Sequence, residues 1–287
     1  MPKILAVHGV GQQFKGNAII HKEWWPAIRS GLSLAKADNY KEEDLTCAFY
    51  GNLFRKTEGL SISETYNFSE VSSMESELLK LLWEAASLND PSIVPSPVEF
   101  DKADMLVRYP QILQRTLNAL SKSSFFTNIS TNLMIGDLKQ VIIYMNDTYI
   151  RETVLKSVTN LLTDDILVVI GHSLGSVVAY EALCRTKTNV VTLITLGSPL
   201  GIRNLIFDRL NPTPIQNKGA WPNVKYWTNV SDKGDLVALE KKLAPLFGER
   251  VNDLIVFNGS DAHHGERYLD TKEVGEAIRK ALCQDEY

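Results

Sequence analysis

Short runs of aliphatic and β-branched residues recur along this chain, separated by longer stretches in which apolar residues return every three or four positions. The first run covers residues 3–8 and stops at Gly9-Val10-Gly11. A stretch at 21–35 follows with Trp24, Trp25, Ile28 and Leu32 on one helical face, then a second run at 45–50 that Gly51 ends. From there the strand signal thins. Helical spacing takes over at 73–88 (Leu78, Leu79, Leu82, Trp83), at 101–121, where Pro110 predicts a break or kink, and at 137–162 with Val141, Tyr144, Met145 and Ile150. A Pro-rich loop at 90–97 separates the first two of these. Short runs return at 166–170, 190–196, 224–230 and 254–258, and 271–283 reads as a closing amphipathic helix. Strands alternating with helices predict an α/β fold, with a mainly parallel central sheet covered by helices on both faces. The pattern divides the chain into a core of residues 1–51 and 137–287 and a helical insertion, 52–136, expected as a cap or lid over the C-terminal edge of the sheet.

One short run has unusual surroundings. The five apolar residues from Ile166 to Ile170 lead directly into Gly171-His172-Ser173-Leu174-Gly175, and Ser176 to Leu183 continue with small residues at helical spacing. Strand, sharp turn and helix in that order present a serine on a strained turn, its Oγ clear of the sheet. Side chains two positions either side of the serine would collide across so tight a turn, which explains Gly171 and Gly175. The backbone N–H of Leu174, at the start of the helix, faces the negative charge that develops during acyl transfer.

Composition narrows the classes. The chain has 287 residues, 44% of them apolar, and a net charge of −4. That length suits a single α/β domain with a sizeable core. A weakly acidic surface has no basic footprint for nucleic acid and no electrostatic pull toward anionic lipid. Three cysteines, Cys47, Cys184 and Cys283, are too few and too scattered for a disulfide framework or a zinc site, and the first two are expected to be buried thiols. The N-terminus has no signal-peptide pattern and no run is long enough to cross a bilayer, so the expectation is a cytoplasmic protein with no metal.

A serine at neutral pH needs a base, and something to orient that base. Five histidines are present: His8, His21, His172, His263 and His264. His172 lies inside the turn, where its side chain should point away from the serine Oγ. His21 opens the first helix and reads as a surface residue, and His8 ends the first strand. The pair His263-His264 follows the last strand; the five-residue spacing to Tyr268 favours His263, with His264 the alternative. The orienting carboxylate is expected from the loop after the preceding strand, which offers Asp232 and Asp235. Asp235 is favoured because Leu-Val-Ala follows it and would anchor the loop; Asp253 and Asp261 are weaker candidates. A second oxyanion donor is expected after an early strand, where Val7-His8-Gly9-Val10-Gly11 supplies the Val10 amide. The same glycines could cradle a phosphate, but Phe14 stands where a dinucleotide fingerprint needs its third glycine, and no Gly-Lys-Ser/Thr follows.

With these elements in view, the chain resembles the lipase-like serine esterases of the α/β-hydrolase superfamily, in the branch of GPI inositol-deacylase-like and related bacterial hydrolases. The resemblance rests on residues 7–11, Asp137…Tyr144, 171–175, Thr195-Leu196-Gly197-Ser198-Pro199-Leu200, Trp227-Thr228-Asn229…Asp235-Leu236-Val237-Ala238 and His263…Tyr268-Leu269. It leaves the stretch between Gly51 and Asp137 unmatched, and Ala238 stands where many relatives have proline. It implies ester hydrolysis without a cofactor: Ser173 attacks, His263 moves the proton, Asp235 steadies the imidazolium, Val10 and Leu174 amides hold the oxyanion, and 197–199 shape the pocket wall. The expected substrate is a small-molecule ester or a lipid of medium to long chain, compatible with transient membrane contact. The apolar residues 124–129 and 133–135 either line an acyl pocket or pack the insertion. An acyltransferase, a thioesterase or a partner-regulated effector would carry the same residues.

Overall fold

The computed structural model describes residues 1–55, 71–97, 109–123, 125–126 and 131–283. It divides into two compact units, Met1–Arg55 with Tyr144–Tyr287, and Lys56–Ile143. The first unit is an α/β layer structure around one six-stranded sheet. Its strands are β1 (Ile4–Val7), β2 (Leu45–Ala48), β3 (Val168–His172), β4 (Thr192–Leu196), β5 (Tyr226–Asp232) and β6 (Val251–Val256). They lie in the order β2-β1-β3-β4-β5-β6 and every neighbouring pair is parallel.

A parallel sheet must be covered on both faces, because crossovers place helices there. One face carries Ile4, Ala6, Val168, Ile170, Ile194, Leu196 and Val230 against helices α1 (Asn17–Leu34) and α9 (Lys272–Leu282). Trp24, Trp25, Ile28 and Leu32 of α1 are all buried in that layer. The alternate residues Leu5, Val7, Val169 and Leu193 are equally buried on the opposite side, where α6 (Leu174–Arg185) packs on β1, β3 and β4 with α5 (Thr148–Thr159) beside it. Two short helices, α7 (Ala244–Phe247) and α8 (Gly265–Leu269), lie in the connections after β5 and β6.

The second unit holds α2 (Ser73–Asn89) and α3 (Tyr109–Leu120), and α4 (Thr131–Asn146) carries the chain back to the first. Ser72 and Glu75 close a reciprocal capping box at the start of α2, and Leu78, Leu79, Leu82 and Trp83 are buried. Phe125 and Phe126 meet edge to face at 4.7 Å, and Met134 and Ile135 are buried. The remainder of the apolar stretch, 124 and 127–129 with the side chain of Leu133, and residues 101–108 of the expected helix, lie outside the described residues.

Several sequence expectations need correction. Pro110 is the second residue of α3, which begins at Tyr109, and the residues before it, 101–108, lie outside the described residues. Residues 137–162 form two helices, because Asp147 turns its carboxylate onto the Ile150 amide (3.0 Å) and starts α5 as an N-cap. The last strand begins at Val251, three residues earlier than the hydrophobic run suggests. Its polar start conceals it: Asp253 accepts from the Leu243 and Ala244 amides (2.8 and 2.9 Å) and from Asn229 Nδ2 (2.8 Å), so a charged residue is satisfied inside the strand. Cys47 is buried, whereas Cys184 is only half-buried and Cys283 is exposed. No described helix is long and apolar enough to cross a membrane.

The strand order sets where chemistry can happen. From β1 the chain passes outward to β2, and from β3 onward it runs to the other side. The order therefore reverses between β1 and β3, and in open parallel sheets the carboxyl ends of the strands at such a reversal border a crevice. The segments that leave these two ends are His8-Gly9-Val10-Gly11 and His172-Ser173-Leu174.

Candidate functional site

Ser173 is the residue at which β3 becomes α6, and it turns the chain with φ 53° and ψ −128°. A side chain in that region costs about 1–3 kcal/mol, so the surroundings must hold it. They do so from three sides. The Ser173 N–H donates to the Leu196 carbonyl at the end of β4 (3.0 Å), and the Ser173 carbonyl accepts from the Ser176 amide (2.9 Å) and the Ser176 hydroxyl (2.6 Å). Ser176 has one proton, already given, so the Ser198 hydroxyl donates to it (2.7 Å) and itself accepts from the Leu200 amide (3.3 Å).

The glycines around the turn serve close approach. A Cβ on Gly171 would meet Ser176 Cα at 2.6 Å, and one on Gly175 would run into the Val7 and His8 carbonyl oxygens. A Cβ on Gly9 would lie 2.7 Å from Ser173 Cβ and 3.3 Å from its Oγ, so the loop after β1 stands directly against the serine. Val10 is half-buried beside it. Leu174 is the first residue of α6, among the amides that an α-helix leaves without an internal acceptor.

Asp235 and His263 come together across 28 residues of sequence: the His263 Nδ1–H donates to Asp235 Oδ2 at 2.8 Å. Asp235 is fully buried, and each of its oxygens is engaged. Oδ1 accepts from the Val237 and Ala238 amides (2.8 and 3.3 Å), and Oδ2 accepts also from the Tyr268 hydroxyl (2.7 Å). Burial pushes the carboxyl pKa up, but the His263 charge, the His263 and Tyr268 hydrogen bonds and the Lys241 ammonium outweigh it and hold the pKa down at about 2. By donating from Nδ1, His263 is fixed in the tautomer whose Nε2 carries the lone pair.

Gly197 joins this pair to the serine. It follows Leu196, the acceptor of the Ser173 amide, and its Cβ would lie 2.6 Å from Asp235 Oδ2 and 3.0 Å from His263 Nδ1. The arrangement therefore gathers a strained serine, an imidazole of defined tautomer, a buried ionised carboxylate and the loop of Val10 at the carboxyl ends of the strands. Such a set can activate a hydroxyl and move a proton.

The other sequence candidates have different employment. Asp232 is buried and accepts from the Gly234 amide (2.6 Å) and the Asn258 amide, so it shapes the turn. Asp253 ties β6 to α7, as described above, and Asp261 meets Arg267 at 3.4 Å. His264 is exposed and begins α8. His21 sits in the second turn of α1, half-buried rather than at the surface, with Nε2 3.2 Å from the Glu42 and Leu45 carbonyls. His172 reaches the loop of His263: its Nε2–H donates to the His263 carbonyl at 2.7 Å, and the two rings lie 4.7 Å apart. Burial and the neighbouring His263 lower its pKa to about 3.

Sequence reasoning noted Tyr268 only as a spacing mark and missed its work. Its hydroxyl accepts from the Asp232 amide (2.8 Å) while donating to Asp235, which locks the two ends of the aspartate loop. Ser176 was read only as part of the small-residue helix, and Gly197 and Ser198 only as pocket wall, so their hydrogen-bonding and packing roles were missed. The partners that matter most, Ser176 with Ser198, Gly197 with Asp235 and Tyr268 with Asp232 and Asp235, are tens of residues apart, so no local signal marks them. Among the described residues, no group of three or more His, Cys, Asp or Glu side chains is arranged to hold a metal ion. No family model matches this chain, and no curated protein is similar enough to it to be matched.

Proposed function

We propose that this protein is a serine hydrolase of the α/β-hydrolase type that cleaves carboxylic esters, with acyl or lipid esters as its substrate class. The observation that carries the reading is the 2.8 Å bond from His263 Nδ1–H to the buried Asp235 carboxylate, beside a serine held at φ 53°. In this reading His263 Nε2 takes the Ser173 proton as Oγ attacks the ester carbonyl, and Asp235 stabilises the imidazolium that forms. The Val10 and Leu174 amides receive the oxyanion. Collapse of the tetrahedral intermediate expels the alcohol, which His263 protonates, and water then releases the acyl group through the same steps.

The supporting argument is one of placement. The site lies where the strand order reverses, and the chain order Ser173, Asp235, His263 is that of the α/β-hydrolases. The test is labelling with a fluorophosphonate beside a Ser173→Ala control, read by intact mass. One adduct on the wild type and none on the control is the expected result. A folded wild type that takes no label, and hydrolyses no ester across a chain-length series, overturns the reading.

A further inference from the structure

The mechanism above leaves one buried imidazole unused. His8 ends β1, is 1% exposed, and stacks on Tyr50 with ring centroids 4.1 Å apart and planes at 21°. Phe49 tilts against it at 5.4 Å. Both of its nitrogens are committed. Nε2 lies 3.2 Å from the Tyr50 backbone nitrogen, and Nδ1 lies 2.7 Å from the Gly9 carbonyl oxygen.

These two contacts assign the proton. A backbone N–H can only donate, so Nε2 must accept and carry no hydrogen. A carbonyl can only accept, so Nδ1 must carry the hydrogen and donate. Burial, together with the Lys15 charge and against the Gly9 hydrogen bond, lowers the pKa of His8 to about 4, which keeps the ring neutral at physiological pH. Tyr50 holds the other side of the residue as well, since its phenol donates to the His8 carbonyl.

We infer that His8 is a positioning residue that sets the direction of the Val10 amide by clamping the Gly9 carbonyl. The peptide between Gly9 and Val10 is one planar unit, and the cis bond of the described chain lies elsewhere, at Asn211-Pro212. In a trans peptide the C=O and the N–H point in opposite directions. With the Gly9 oxygen drawn onto Nδ1, the Val10 N–H is turned away from the His8 ring. Flipping that peptide would strand both the imidazole N–H and the Gly9 oxygen in a buried setting. Gly9 is the residue that stands against Ser173, with its Cβ position 3.3 Å from Oγ, so the orientation of the next peptide decides what an oxyanion there would meet. Tyr50, forty-two residues on, thereby contributes to the site through His8 without touching substrate.

The inference rests on the esterase reading, and the experiment separates the two. In His8→Phe the packing of a flat ring is kept and both hydrogen bonds are lost. In His8→Asn the side-chain amide returns a donor near the position of Nδ1. On p-nitrophenyl butyrate, His8→Phe loses about 10²-fold in kcat, the scale of one oxyanion donor, with KM within twofold of wild type. Affinity for an alkylboronic acid, which forms a tetrahedral adduct on Ser173, falls in step with kcat, and His8→Asn regains a tenfold share of both. A purely structural role would instead lower the thermal midpoint and leave the ratio of boronate affinity to KM unchanged. That result, or a His8→Phe protein as active as wild type, overturns the role of His8 alone.

The tautomer can be read without any variant. The ring ¹⁵N shifts of wild-type His8 report the neutral Nδ1–H form between about pH 6 and 8, and finding the Nε2–H form overturns the inference even if His8→Phe fails to fold. A wild type that neither takes the phosphonate label nor turns over ester overturns the esterase reading, and the role of His8 with it.

Discussion

Gly197 stands so near Asp235 that a Cβ on it would lie 2.6 Å from the Oδ2 that holds His263. Its φ of +53° adds a second constraint, since a left-handed backbone strains any residue with a Cβ. Gly197→Ala is therefore expected to do two things. It strains β4's exit by about 1–2 kcal/mol or more, and it pushes the carboxylate away from the imidazole. The expected result is a thermal midpoint several degrees lower and a kcat loss of about 10²-fold or greater. Urea unfolding and steady-state kinetics on one preparation check both.

Asp235 and Asp232 are three residues apart, both are buried, and they do different work. Asp235→Asn keeps the shape but lets His263 adopt the wrong tautomer, and kcat should fall by about 10³–10⁴-fold with the fold intact. Asp232→Asn instead weakens the turn that holds Gly234 and Asn258, so its main effect is a stability loss of about 1–3 kcal/mol. Comparable kcat values for the two variants would contradict this division.

Tyr268→Phe removes a hydroxyl that is hydrogen-bonded on both sides, to Asp235 Oδ2 and to the Asp232 amide. The variant leaves a buried amide and one carboxylate oxygen short of a partner. We expect a loss of about 1–3 kcal/mol and a several-fold drop in kcat, smaller than for Asp235→Asn. Differential scanning calorimetry with matched kinetics distinguishes it from a silent change.

Stability should depend on pH through the histidines. His8 titrates near pH 6.5 when unfolded and about 4 when folded, so between these values the unfolded chain binds the extra proton. Its contribution is complete above about pH 6.5 and is lost as the pH falls toward 4; at ~1.4 kcal/mol per unit this comes to about 3 kcal/mol. His172, lowered to about 3, acts in the same direction. Asp235 adds its own loss only as the pH falls from 3.8 through about 2. The urea midpoint should drop steadily from pH 7 to 5, and His8→Phe should flatten that slope.

Glu181 lies on α6 with no exposure and accepts from the Tyr144 hydroxyl (2.7 Å), Arg151 Nε (3.0 Å) and the Asn211 amide (2.8 Å). Glu181→Ala strands the Arg151 guanidinium, which is largely buried beside it. Removing one partner of such a pair costs about 3–5 kcal/mol, so this variant should be among the least stable single substitutions. Chemical denaturation reads it directly, and an effect below about 1 kcal/mol would contradict the account.

The alternation of short apolar runs with helical stretches was legible because strands buried on both faces and amphipathic helices leave local signatures. Six runs and the parallel character of the sheet could be read from it, and so could the turn at Ser173, where strand, glycine and small-residue helix are neighbours in the chain. Where a local pattern was broken by a satisfied polar residue, as at Asp253 and Asp147, the reading slipped. The hydrophobic pattern cannot show a hydrogen bond that makes a charge acceptable inside an element.

Which groups meet was decided by the tertiary structure alone. The sequence by itself offered two aspartates and two neighbouring histidines, and favoured Asp235 for the Leu-Val-Ala that follows it and His263 for its spacing to Tyr268, but it could not show which of them meet. The distinction between Asp232 and Asp235 arises because Tyr268, Gly197 and His263 converge on one carboxylate from three separate segments. The same holds for His8, whose tautomer is set by a backbone amide in the strand exit at Tyr50. Local periodicity encodes which face of an element is buried. Partners tens of residues apart become neighbours only when the sheet order brings their strand ends together.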